Sequence, residues 1–161
     1  MKPADMLVLL REFYREKSAL RARHVAGARL VGDYNFNNAY QYVINREDTQ
    51  LAWLRDAITD LGGTPEDAPE PALQASGSNT AAIIFGGDSK EAQAFVDRWR
   101  DRVEHLTHAR NRTMLKLMLG EVLEHKRFFE QALAGRQDLL GRRADGMGTP
   151  GKVLATRWVG K

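Results

Sequence analysis

Two stretches decide how this chain reads: Arg46-Glu-Asp-Thr-Gln-Leu-Ala-Trp-Leu-Arg-Asp-Ala-Ile58 and Gly120-Glu-Val-Leu-Glu-His-Lys-Arg-Phe-Phe-Glu-Gln-Ala-Leu133. Laid together without gaps so that Gln50 meets His125, they bring Trp53 onto Phe128, Leu54 onto Phe129, Ala57 onto Ala132 and Ile58 onto Leu133. Apolar residues recur at three- and four-residue steps in both, the spacing of one helix face. The pattern is that of one helical hairpin used twice.

Around these stretches the rest of an all-α chain falls into place. A first helix is expected from about Ala4 to Ala26, with Met6, Leu9, Phe13, Glu16 and Leu20 on its inner stripe. Its end is marked by His24, read as a cap for the last carbonyls. Gly32-Asp33 supplies a turn and an N-cap, and the second helix carries Phe36, Tyr40, Val43, Glu47, Gln50, Leu54, Ala57 and Leu61 inward. Gly62-Gly63-Thr64-Pro65 stops it, because glycine accepts the left-handed cap and proline cannot continue a helix.

Residues 64–87 are rich in Pro, Ala, Ser and Gly and read as a long crossover, with Ala81-Ala-Ile-Ile-Phe85 packed on the bundle as an extended piece. Asp88 or Ser89 then caps a third helix with Ala92, Phe95, Trp99, Val103 and Leu106 on its stripe. A break near Ala109-Arg-Asn111 leads to the fourth, where Leu115, Met118, Val122, His125, Phe129 and Ala132 align until Gly135 closes it. This gives one domain over residues 1–140, followed by a Gly-rich basic tail, 141–161.

Composition narrows the function. With 161 residues the chain can bury one real core, and with no cysteine it offers neither disulfides nor thiolate metal sites, which fits a reducing cytoplasm. Arg11 and Glu12 cut off the apolar run Met6–Leu10 before it could serve as a signal-peptide core, and no stretch approaches membrane-spanning length. From residue 136 onward six basic side chains face two acidic ones, +4 within a chain whose total is +3, so the high pI belongs to the tail. That modest charge disfavours a nucleic-acid partner bound through phosphates.

Two hairpins joined by one long crossover is the connectivity of ferritin-like bundles. The phrase from Glu47 to Pro65 resembles the second helix of the ferritin, bacterioferritin and rubrerythrin superfamily, where a Glu-x-x-His precedes an apolar helix end and a Gly-rich stop. The resemblance covers roughly residues 4–134 and implies a ferritin-like four-helix bundle. It also implies a di-iron or di-manganese centre built from one Glu on each of two helices and a Glu-x-x-His on each of the others.

Carried across, the metal positions are Glu16, Glu47, Gln50 and His125, with Glu91, Glu121 and Glu124 as alternates. Val122 stands where the second bridging glutamate belongs, and Gln50 replaces an imidazole, so the motif is degenerate. A polar cluster of Glu16 and Glu47 with Gln50, His125 and Tyr40, without metal, is the other reading of the same residues. Glu104 and His108, one turn apart, read as a surface pair.

The broken motif favours a non-catalytic structural or interaction subunit needing no cofactor, docked on a protein partner or larger assembly, or on further copies of itself, through Val153, Leu154, Arg157, Trp158 and Val159 of the tail. The alternative is a metal-dependent oxidase or iron-handling protein, with iron or manganese at partial occupancy held by Glu16, Glu47 and His125.

Overall fold

The computed structural model describes residues 1–67, 81–136 and 139–140. Its secondary structure is four α-helices: α1 (Pro3–Leu30), α2 (Tyr34–Asp60), α3 (Ala81–Glu104) and α4 (Ala109–Leu133). Local chemistry sets their ends. Pro3 opens α1 at a position where a missing N–H costs nothing. The Asp33 carboxylate accepts the backbone N–H groups of Asn35 and Phe36 at the start of α2. His108 caps α4, its Nδ1 accepting the Asn111 N–H at 3.3 Å. Gly62 and Gly135 follow the ends of α2 and α4 with φ of 76° and 80°, the left-handed conformation a side chain would resist.

Three expectations shift. α1 runs on to Leu30, so His24 lies inside the helix and is buried rather than capping it. α3 starts at Ala81, so residues 81–87 are helix and not part of an extended crossover. The turn before α4 falls at residues 105–108, and the Glu104 carboxylate pairs with Lys116 at 2.8 Å, not with His108.

Each helix packs antiparallel to two neighbours. Glu12 meets Arg102 and Arg23 meets Asp88 along α1 and α3. Arg46 meets Glu121 between α2 and α4, and Lys126 meets Gln93 between α3 and α4. Arg21 meets Asp48 between α1 and α2. α2 and α3 therefore run in the same direction, so that α2 ends near the start of α1 while α3 begins near its end. Beyond α2 the chain turns up beside α1: Arg11 donates to the Thr64 carbonyl, Arg15 pairs with Glu66, and the Tyr14 hydroxyl donates to Asp67. Residues 68–80 of the expected crossover and the expected tail, 141–161, lie outside the described residues.

The interior is two hydrophobic clusters stacked along the bundle. One gathers Leu10, Phe13, Leu54, Phe95, Trp99, Leu115 and Met118; the other gathers Ala28, Tyr40, Phe85, Phe129 and Ala132, with Leu139 closing over it. Trp99 is fully buried, its ring met edge-on by Phe13 at 4.8 Å. Trp53, which the sequence aligns with Phe128, is only partly buried, at the margin of the first cluster.

Candidate functional site

Between the two apolar clusters, every helix places polar side chains in the interior. α1 contributes Lys17, Ser18 and His24, α2 contributes Glu47 and Gln50, α3 contributes Asp88 and Ser89, and α4 contributes His125, all buried. On α1 the stripe Leu10, Phe13, Lys17, Leu20 and His24 keeps three- and four-residue steps, so Lys17 and His24 point the same way two turns apart.

Glu47 is the hub. Its Oε1 accepts from Lys17 Nζ at 3.1 Å, and His24 Nδ1 lies 3.0 Å from Oε1 and 2.9 Å from Oε2. Facing an ionised carboxylate, which can only accept, that ring nitrogen carries the proton. Burial by itself would raise the Glu47 carboxyl, but His24 and then Lys17 overcome that and hold it down at about 2. Glu47 is thus an anion with two donors, the arrangement that lets a charge persist in a core.

His125, across the layer, behaves in the opposite sense. Burial, reinforced by Lys17, pushes its imidazole down to about 3, so it is neutral. Four buried atoms here, Ser18 Oγ, His24 Nε2, Gln50 Oε1 and His125 Nδ1, make no hydrogen bond among the described residues.

A second network borders the first. The Tyr40 hydroxyl donates to Asp88 Oδ2 at 2.5 Å and Arg23 Nε donates to Asp88 Oδ1 at 2.6 Å. Gly27 makes room for it, since a Cβ there would come within 3.2 Å of the Tyr40 hydroxyl and 3.3 Å of Asp88 Oδ2. Tyr40, expected to join the Glu47 cluster, instead spends its hydroxyl on Asp88. Burial and then the Asp88 charge push that hydroxyl strongly upward, so it stays protonated.

The expected metal positions separate. Glu47, Gln50 and His125 do face the interior together. Glu16 does not: it sits one residue off the inner stripe, 28% exposed, accepting from Arg98 at 2.9 Å and from the Trp99 indole N–H at 2.9 Å. The alternates stay outside too, Glu91 and Glu124 being exposed and Glu121 taken up by Arg46 at 2.6 Å and by the Gln50 amide. Val122 is buried and offers no donor atom. Among the described residues no three His, Asp or Glu side chains are grouped to hold a metal ion. The residues present do not fit a di-metal centre; an ammonium group occupies the place beside Glu47 where a cation would sit.

The interior roles of Lys17, His24, Arg23 and Asp88 escaped the sequence reading, which took His24 and Asp88 for helix caps. Only the seven-residue step from Lys17 to His24, in phase with Leu10, Phe13 and Leu20, hinted at the first two. The tail residues Val153, Leu154, Arg157, Trp158 and Val159 lie outside the described residues. No helix of the described residues is long and apolar enough to cross a membrane. The chain matches no family model, no curated protein and no solved structure.

Proposed function

We propose that this chain is a ferritin-like bundle that has given up metal chemistry and serves as a structural or interaction subunit, with residues 141–161 as its docking element. The observation that carries the reading is the fully buried Lys17–Glu47 ion pair at 3.1 Å. A lysine fixed against the central carboxylate supplies internally the positive charge that a bound cation would otherwise bring, and it competes with any metal for the same oxygen. His24 Nδ1 lies against both carboxylate oxygens, so each oxygen of Glu47 already faces a donor from the chain itself. The antiparallel neighbours and the parallel pair α2 and α3 are what a ferritin-like connection requires.

Docking through the tail rests on its sequence, in which Val153, Leu154, Trp158 and Val159 stand among glycines and basic residues. Such a segment carries the anchors a groove on another protein can hold, while Leu139 fixes the chain to the bundle just before it.

Elemental analysis of the full chain, purified without added metal, tests the central point. Well under two equivalents of iron or manganese and no ferroxidase activity are expected; two tightly bound ions would overturn the reading and restore a metal-dependent oxidase. Truncation at Gly141 should leave the melting temperature almost unchanged, and loss of folding on truncation would sink the docking role.

A further inference from the structure

Exposed apolar side chains gather at one end of the bundle. Of the seven large hydrophobic residues that stand out to solvent among the described residues, four lie where α2 and α3 begin and α4 has ended: Tyr34, Ile83, Leu133 and Leu140. The other three, Met1, Val8 and Leu117, belong to the opposite half. Singly scattered apolar residues need no explanation, but a group of them at one end does.

Packing beneath them shows that these helix ends meet. Phe36 and Phe85 touch edge-on at 5.1 Å, and Leu139 packs into the same cluster as Ala28, Phe85 and Ala132. Leu140 therefore emerges among the exposed residues, and the remaining chain departs from the apolar end itself.

We propose that this end receives the tail of a second copy of the chain, so that two copies exchange residues 153–159 across a two-fold axis. The inference rests on the docking role assigned above to the tail, and it names the partner: an anchor seated on its own bundle would be withheld from any other molecule. Val153, Leu154, Trp158 and Val159 need an apolar seat, and Tyr34, Ile83, Leu133 and Leu140 supply one.

Length fits the exchange. Twelve residues separate Leu140 from Val153, a stretch that reaches at most about 45 Å. A bundle two helices wide measures about 20 Å across. The anchors thus stay within range of this end and of a neighbour set against it. Each copy brings one end and one tail, the reciprocal pattern of exchanged elements. Once one tail is seated, the other is presented at an effective concentration on the order of 1 mM, so two modest contacts close into one firm pair.

Sedimentation velocity of the 161-residue chain, from micromolar to millimolar concentration, tests this. Monomer should give way to dimer. Tyr34→Asp/Leu133→Lys puts a carboxylate at the start of α2 and an ammonium at the end of α4, where the helix dipoles favour them, so the fold should survive by circular dichroism. Dimer affinity should fall at least about tenfold, and Trp158→Ala should weaken it to a similar extent. Mixing these two variants should recover a heterodimer, because one intact end then meets one intact tail.

A chain that stays monomeric throughout, as it would with each tail seated on its own bundle, overturns the inference while leaving a partner of another kind open to the tail. Variants that dimerise like the parent, or a mixture that recovers no heterodimer, overturn it too. A dimer that survives truncation at Gly141 overturns the docking role of the tail along with it.

Discussion

Lys17 Nζ lies 3.1 Å from Glu47 Oε1 with both side chains fully buried, so a complete ion pair sits inside a four-helix core. Each partner pays for its loss of water only through the other and through His24, and the pair cannot be halved without consequence.

Lys17→Met should therefore destabilise the protein by about 3–5 kcal/mol, because Glu47 would keep its charge with one donor gone. Combining it with Glu47→Leu should recover most of that loss, since no isolated charge remains. Urea unfolding of both variants decides it; a double variant no more stable than Lys17→Met would show that the pair is not the source of the cost.

Acid should weaken the fold in two overlapping stages. His125 ordinarily takes up a proton near 6.5 but is held down at about 3 when folded, so the unfolded chain binds more protons in that window and stability falls as pH drops through it. Glu47, lowered from 4.5 to about 2, contributes stability that is present above about 4.5 and lost as pH falls from there toward 2. Replacing His125 with Gln should flatten the dependence between pH 6.5 and 4.5, where one proton is worth at most about 1.4 kcal/mol per pH unit. Urea titrations across that range measure it.

Trp99→Ala should cost about 3–5 kcal/mol, the usual penalty for emptying a buried aromatic site. Trp99→Phe retains a ring against Phe13 but takes the indole N–H from Glu16 and the larger face from Arg102, whose guanidinium lies 4.1 Å from the ring centre. A smaller loss, about 1–2 kcal/mol, is expected. A Trp99→Phe variant as stable as the parent in thermal unfolding would refute the Glu16 bond as a contributor.

Tyr40→Phe removes one donor from Asp88 but leaves Arg23, and should cost about 1–2 kcal/mol. Asp88→Ala strands a buried hydroxyl as well as a half-buried guanidinium and should cost more, about 3 kcal/mol. Chemical denaturation that ranks the two the other way round would show that Asp88 is not the centre of this network.

Much of the inner faces of α3 and α4 was legible, from Ala92 to Val103 and from Leu115 to Ala132, because aromatic and aliphatic residues repeat there at helical spacing, although the buried Val96 and Leu119 beside those stripes were not. α1 was harder. Glu16 and Lys17 both fit a three- and four-residue rhythm through Phe13 and Leu20, and a lysine is ordinarily read as solvated. Its inward turn depends on Glu47, thirty residues away. The start of α3 was hidden for a similar reason. Gly86-Gly87-Asp88-Ser89 has the look of a cap, but Asp88 is engaged by Arg23 and Tyr40, and a Cβ on Gly87 would collide with the Arg23 guanidinium. Helix start and stop signals are local; these two residues answer to α1.

The polar layer between the two apolar clusters also acts as a ruler. Sliding any one helix by a turn along its neighbours would bring Lys17, Glu47, Asp88 or His125 against hydrocarbon, with a charge or a donor left bare, while the aliphatic rows above and below would repack with little complaint. Four helices that are otherwise greasy and interchangeable in height are thereby pinned to one axial setting. The same setting holds the C-terminal half of α2 level with the first turns of α4, where Trp53, Asp56 and Asn111 line one hollow.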